Sequence, residues 1–288
     1  MTHIPRLLAR AAASNPELRS WTLTLPEVVR RLAERWALSI GEPFEPGGQC
    51  SWVAPARNDL GDDRVLKVGW SHPEAAHEAD ALRLWDGDGA VRLHAADAFD
   101  RTTALLLERC VPGTWLKSRP EPEQDVVLAG LLRRLWRPPP PGHSYRPLRE
   151  MCDQWADEFE RRHAATPAGI DPGLAREGAA MFRALPREAD REVLLCTDLH
   201  AENVLAARRE PWLVIDPKPY VGDPAYDPLQ HMLNCKDRLR SDPRALAARM
   251  ADLLDLDPER VTRWLFARCV QESAGNRQLA DVAASLAL

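Results

Sequence analysis

The chain has 288 residues, enough for two lobes of ordinary size and more than one small single-core module needs. An apolar fraction of 45% with 28% charged residues excludes a disordered chain, a collagen-like repeat and a coiled-coil rod. The formal charge is −5 and the 38 basic residues are scattered without a long run, so the footprint of a nucleic-acid binder is missing and any partner selected by charge is a cation.

No stretch reaches the run of about 18 apolar residues that spans a bilayer. Arg6, Arg10 and Glu17 break up the start, so neither a membrane span nor a signal peptide is expected. Cys50, Cys110, Cys152, Cys196, Cys235 and Cys269 lie far apart and never as CxxC, which points to reduced thiols in a cytoplasmic protein rather than a zinc site or a disulfide scaffold. A monomer is expected.

In chain order, Thr24-Leu25-Pro26-Glu27 reads as a capping box, with Val28, Val29, Leu32 and Trp36 at helical spacing, and predicts a helix over 25–38. Gly47-Gly48, the run Ser51-Trp52-Val53-Ala54, a polar turn over 58–62 and the run 64–69 predict a β-hairpin region with a glycine turn. Ser71-His72-Pro73-Glu74 reads as a second capping box, opening a helix of about thirteen residues that ends at Trp85 and Gly87. Strands around 91–97 and 102–108 complete a small β-rich lobe.

Beyond Pro112-Gly113 the periodicity turns helical over about 122–186, interrupted at 137–142 by a Pro-rich surface connector. Two apolar runs, Val193-Leu194-Leu195 and Trp212-Leu213-Val214-Ile215, flank a polar turn before helical patterns resume. A β-rich lobe followed by a mainly helical one makes the fold class α+β.

The chemistry concentrates in Cys196-Thr197-Asp198-Leu199-His200-Ala201-Glu202-Asn203, followed by Val214-Ile215-Asp216-Pro217. Phosphoryl transfer needs a carboxylate to receive or orient the proton of the nucleophile, and oxygen ligands from a carboxylate and an amide for a Mg2+ that bridges phosphates. Asp198, Asn203 and Asp216 offer that set on one loop. His200 has no second ligand at metal spacing and reads as a loop-stabilising residue.

Asp-Leu-His-x-x-Asn followed by Ile-Asp-Pro resembles the catalytic and metal loops of aminoglycoside phosphotransferases, relatives of the protein kinases. The string from Ile215 through Lys218-Pro219-Tyr220-Val221-Gly222-Asp223-Pro224-Ala225-Tyr226-Asp227 resembles the aminoglycoside/hydroxyurea resistance kinase branch. The resemblance runs from about residue 40 to the C-terminus. It implies a bilobal protein-kinase-like fold, with residues 1–109 as a nucleotide-binding lobe carrying an N-terminal helical extension. Residues 110–288 would then be a helical lobe holding the catalytic loop and the substrate site.

By that resemblance Asp198 is the catalytic base, Asn203 and Asp216 bind Mg2+, and Lys67 holds the ATP phosphates with Glu78 as its partner. Glu74 sits in the first turn of the same predicted helix and is left to the cap. Gly47, Gly48 and Ser51 form the first loop over the nucleotide, and the backbone around Glu108 to Cys110 meets adenine. Two departures stand out: Cys196 and Thr197 replace the histidine and glycine that usually open the catalytic loop, and the first loop lacks a full GxGxxG. Asp223 and Asp227 are read as structural, Asp227 as an N-cap that also bonds the catalytic loop, and Lys218 as reaching a phosphate or pairing with a neighbouring acid.

A streptomycin-like substrate is a cationic small molecule carrying guanidinium groups, and Asp153, Asp157, Glu158 and Glu272 are the candidate carboxylates for it. The activity implied is transfer of the ATP γ-phosphate to an aminoglycoside hydroxyl. The alternatives are phosphorylation of hydroxyurea or another small molecule, or a nucleotide-binding pseudokinase. A protein kinase fits less well, since no Asp-Phe-Gly and no activation segment follow the metal strand.

Overall fold

The computed structural model describes residues 2–165 and 169–287, apart from the side chain of Glu74. Residues 166–168, inside the 122–186 stretch of helical periodicity, lie outside the described residues. Contacts divide the chain into Met1–Gly113 with Ala206–Leu213, and Thr114–Leu205 with Val214–Leu288.

The first unit opens with three short helices, α1 (Arg6–Ser14), α2 (Pro16–Thr22) and α3 (Leu25–Arg35). The Asn15 side chain caps α2 by accepting from the N–H groups of Glu17 and Leu18, and Pro16 occupies the first helical position, where no N–H is needed. The capping box expected at Thr24 does not form. Thr24 Oγ1 donates instead to the Trp21 carbonyl, Glu27 pairs with Arg30, and α3 stops at Arg35.

A five-stranded antiparallel sheet follows in the order β1-β2-β3-β5-β4, from Leu38–Ile40, Ser51–Asn58, Asp63–Trp70, Leu93–Phe99 and Thr102–Glu108 for β1 to β5. The alternation of a strand decides its faces. Trp52, Ala54, Leu66 and Val68 turn to a core shared with Leu8, Leu18, Trp21, Leu25 and Leu32 of the three helices. Each fully buried side chain of this kind stabilises the fold by about 1.5–3 kcal/mol. The Trp21 indole N–H enters this core with a partner, Thr102 Oγ1 at 2.9 Å. Gly47-Gly48 lies in the connection between β1 and β2.

The predicted thirteen-residue helix after β3 is shorter than expected. Pro73–Ala75 forms a single 3-10 turn, His77 takes a left-handed φ of 68°, and α4 spans only Glu78–Trp85. His72 ahead of the 3-10 turn and His77 ahead of α4 supply no side-chain cap, so α4 does not open at the expected box of Ser71 and Glu74, whose Glu74 side chain lies outside the described residues.

The second unit contains α5 (Glu121–Leu135), α6 (Leu148–Ala165) and α7 (Pro172–Ala184), with the Pro-rich connector non-helical between α5 and α6. After four short strands come α8 (Leu229–Asn234), α9 (Lys236–Ser241), α10 (Pro243–Leu254), α11 (Pro258–Glu272) and α12 (Arg277–Leu286). The strands are β6 (Val193–Leu195), β7 (Val204–Ala206), β8 (Trp212–Val214) and β9 (Tyr220–Gly222), of which Ala206–Leu213, from the end of β7 into β8, counts with the first unit. The two apolar runs seen in the sequence do not pair with each other: β6 pairs with β9, and β7 with β8. Helices α7 and α11 approach closely at Gly178, where a Cβ would stand 2.4 Å from a methyl of Val270. Beside them Trp264 packs edge-on to Phe182 and Tyr226 at centroid distances of 5.9 and 5.1 Å.

No helix among the described residues is long and apolar enough to cross a membrane.

Candidate active site

The site residues in the first unit begin with Lys67. Its neighbours Leu66 and Val68 are fully buried on the helix-covered face, so the alternation of β3 sends Lys67 to the opposite face. There its Nζ lies 2.7 and 2.6 Å from the two carboxylate oxygens of Glu78, the first residue of α4. The shortened helix is what puts Glu78 at that end. The side chains of Lys67 and Glu78 are 12% and 7% exposed, so the pair is largely withdrawn from water and depends on its close geometry.

Gly47 has a φ of +76°, and a Cβ on it would meet Pro5 at 2.5 Å; a Cβ on Gly48 would meet Ser51 Oγ at 2.7 Å. Gly47 is therefore fixed by its backbone conformation and by the close approach of Pro5, whereas at Gly48 only the Ser51 hydroxyl would have to give way. At the end of β5, Glu108 spends its backbone N–H on the Arg92 carbonyl and its carboxylate on Arg209 and the Arg92 N–H. Burial, with the Glu108 charge adding to it, pushes the Cys110 thiol up to about 12. Arg209, which sequence reasoning missed, also donates to the carbonyls of Gly87 and Ala90. It sits in the turn between β7 and β8, and nothing in Ala207-Arg208-Arg209-Glu210 marks one arginine above the other.

The second unit carries the catalytic loop. Thr197 Oγ1 donates to the Lys218 carbonyl at 2.6 Å and the Lys218 N–H to the Cys196 carbonyl at 3.0 Å, which zips 196–198 to 216–218. The Ile215 N–H donates to the Asn203 carbonyl at 2.9 Å, so residues thirteen apart in sequence, Asn203 and Asp216, become near neighbours. Asn203 Nδ2 donates to the Asp198 carbonyl at 2.9 Å, which leaves its Oδ1 as the atom offered outward. Thr197 and Asp216 both take left-handed φ values, 49° and 52°, strained conformations of the kind that cluster at functional sites.

Asp198, Asn203 and Asp216 are all half-buried and present oxygen atoms, the donor type that suits a hard divalent cation. Lys218 Nζ stands 2.9 Å from Asp216 Oδ1, so it pairs with the neighbouring acid. His200 accepts from the Glu202 N–H through Nδ1 at 3.3 Å and caps the 201–203 turn, and burial pushes its pKa down. Lys117 pairs with Glu202 on that turn.

Asp227 is fully buried and accepts from the backbone N–H groups of Cys196 and Thr197 and from the Trp136 indole. It does not cap α8, whose first turn follows Pro228 instead. Asp223 accepts from Arg260 at 2.7 Å and from Trp264 Nε1 at 2.6 Å and caps the 224–226 turn.

A model of the aminoglycoside/hydroxyurea antibiotic resistance kinase family matches residues 35–279. The chain belongs to that family. It is 35% identical over 281 residues to the streptomycin 6-kinase of Streptomyces griseus, covering 94% of this chain and 90% of the relative. The hydroxyurea phosphotransferase of Kitasatospora aureofaciens is 35% identical over 257 residues, covering 88% and 73%. Among solved structures, the choline kinase LicA from Streptococcus pneumoniae superimposes with a TM-score of 0.62 at 11% identity, over 91% of this chain and 98% of that one. The fold is protein-kinase-like and the protein is a kinase.

Within this resistance kinase the four candidate substrate carboxylates already hold arginines of their own unit. Asp153 pairs with Arg187 at 2.7 Å, Asp157 with Arg183 at 2.6 Å, Glu158 with Arg162, and Glu272 with Arg268 at 2.7 Å. Each is thus suited to a guanidinium group and at present satisfied by an internal one. Asp125, missed by sequence reasoning, is fully buried beneath His231, Arg238 and Arg249 at 2.8, 2.9 and 2.6 Å. Cys235 completes a trio with Asp125 and His231 whose ligand atoms lie within 4.8 Å, but the two guanidiniums occupy the carboxylate and leave no role for a cation there.

Proposed function

We propose that this kinase transfers the γ-phosphate of ATP to a hydroxyl of streptomycin, acting as a streptomycin 6-kinase in antibiotic resistance. The observation that carries this reading is the pair of streptomycin 6-kinases, from Streptomyces griseus and Streptomyces glaucescens, at 35% and 34% identity over 94% and 95% of the chain. The geometry of the catalytic loop supports it.

The substrate hydroxyl oxygen attacks the γ-phosphorus, the bond from that phosphorus to the β–γ bridging oxygen breaks, and ADP departs with the bonding electrons. Asp198 orients the hydroxyl and receives its proton. Lys67, kept extended by Glu78, holds the α- and β-phosphates, with Gly47, Gly48 and Ser51 forming the loop over them and the backbone of 108–110 receiving adenine. Asn203 Oδ1 and the Asp216 carboxylate are the oxygens that would hold Mg2+, which when bound neutralises phosphate charge. Little covalent chemistry falls to the protein, so positioning and charge decide the rate.

Phosphorylation of hydroxyurea is the second reading, favoured by the 35% identity to the Kitasatospora aureofaciens enzyme. The joint presence of Lys67, Asp198, Asn203 and Asp216 speaks against a pseudokinase. The test is Mg·ATP-dependent transfer onto a panel of streptomycin, other aminoglycosides and hydroxyurea, read by product mass. Streptomycin gains one phosphate in the wild type, and Asp198→Ala abolishes turnover while binding nucleotide nearly as well. Full turnover by Asp198→Ala, or modification of hydroxyurea with streptomycin untouched, refutes the assignment.

A further inference from the structure

The segment before α1 makes repeated contacts with the tip of the β1–β2 loop, and it precedes residue 35, where the match to the family begins. The first-turn N–H groups of a helix need acceptors, and Pro5, the residue ahead of α1, offers no side-chain cap. The loop supplies them: the Arg6 N–H donates to Glu45 Oε2 at 3.2 Å and the Leu7 N–H to the Pro46 carbonyl at 3.0 Å. A carboxylate at a helix N-terminus also meets the favourable end of the helix dipole.

His3 Nε2 stands 2.6 Å from Glu45 Oε1, and Arg6 Nε 3.7 Å from Oε2. The segment is itself anchored at both ends. The indole N–H of Trp52, 2% exposed on β2, donates to the His3 carbonyl at 2.9 Å, and Leu8 is fully buried in the core. Pro5 stands where a Cβ on Gly47 would be, so the strap and the glycine fit each other.

We propose that residues 3–7 are a strap that presets the loop over the nucleotide phosphates, with Glu45 as a positioning residue for ATP acting through Gly47 and Gly48. This rests on the reading of that loop as the nucleotide loop. A loop with an incomplete glycine motif gains its shape from main-chain bonds to a fixed helix start, and binding then costs less ordering.

The test is calorimetric binding of Mg·ATP to Glu45→Ala and Glu45→Gln, with hydrogen exchange at amides 44–49 and steady-state kinetics on the wild-type substrate. Glu42, exposed in the same loop, gives the control Glu42→Ala with the same change of charge. Glu45→Ala should speed exchange at the loop and weaken Mg·ATP binding by about fivefold, the scale of one ordinary net hydrogen bond passed on through the loop, with kcat within about twofold of wild type. Glu45→Gln, which can still accept from the Arg6 N–H, should recover most of the affinity, and Glu42→Ala should change neither readout. Faster exchange with unchanged affinity overturns the strap and leaves the kinase reading intact. Equal weakening by Glu42→Ala also overturns it, since charge alone would then explain the effect. No nucleotide binding by the wild type overturns the nucleotide-loop reading and the strap together.

Discussion

The carboxylate of Asp227 accepts a 2.6 Å hydrogen bond from the backbone N–H of Thr197, the residue immediately before Asp198. Thr197 is held at φ +49°, where a glycine would rest without strain. The departure from glycine at this position is therefore offset by bonds: Asp227 takes the Thr197 and Cys196 N–H groups, and Thr197 Oγ1 reaches the Lys218 carbonyl.

Burial pushes the Asp227 carboxyl up to about 6, against the donors Trp136, Cys196 and Thr197 that favour its charged form. Below that pH Asp227 is protonated and is a poorer acceptor for the loop, so kcat should fall on an acid limb near pH 6. Stability moves the other way. Because the folded pKa lies above the ordinary value of 3.8, the folded state binds this proton more tightly, and the contribution is complete below 3.8 and lost as pH rises through about 6. Asp227→Asn should remove the acid limb and lower kcat by about 10- to 100-fold, equal to losing one or more charge-assisted bonds of roughly 1.5–3 kcal/mol. A pH–rate profile that keeps its acid limb in Asp227→Asn would assign that limb to another group.

The Lys67–Glu78 pair separates stability from function. Removing one partner leaves a charge largely out of water, so Lys67→Met and Glu78→Leu should each destabilise the protein by about 3–5 kcal/mol in denaturant unfolding. The double variant replaces the pair by apolar side chains and should recover most of that loss. Its phosphotransfer should stay at least about tenfold below wild type, since the lysine that would hold the α- and β-phosphates is gone. A double variant as active as wild type would remove Lys67 from the mechanism.

Asp125 is the corresponding test in the second unit. Burial works to raise its pKa, but His231, Arg238 and Arg249 outweigh it and hold the carboxyl well below the usual range. The stability this supplies is present above the ordinary value of 3.8 and is lost as pH falls. Asp125→Asn should cost about 3–5 kcal/mol at neutral pH and flatten the acid side of the stability curve. Unfolding curves for the two proteins that converge only at low pH would bear this out, and parallel curves would refute it.

The sequence by itself determined the fold class and most of the elements that carry the chemistry. Alternation in β3 separated Lys67 from Leu66 and Val68, and the spacing of Asp198, Asn203 and Asp216 marked one loop, because strand period and motif spacing are local properties of the chain. That Lys67 has a glutamate partner was legible only through the resemblance, and Glu78 was preferred because Glu74 was left to the cap. The structure puts Glu78 against Lys67 by moving the residue ahead of the helix from Ser71 to His77.

The capping boxes were misread, though only one helix start was. α3 begins at Leu25 as expected, but Thr24 takes helical dihedrals and gives its hydroxyl to the Trp21 carbonyl, whereas α4 begins only after the left-handed turn at His77. Strand partners, the Asp227 bonds to Cys196 and Thr197, the Asp125 cluster, the Arg209 anchor and the Glu45 strap were all settled by tertiary structure. Apart from the strand partners, each joins residues 30 or more positions apart, and which buried donor meets which acceptor depends on how the elements pack, a choice no local pattern encodes.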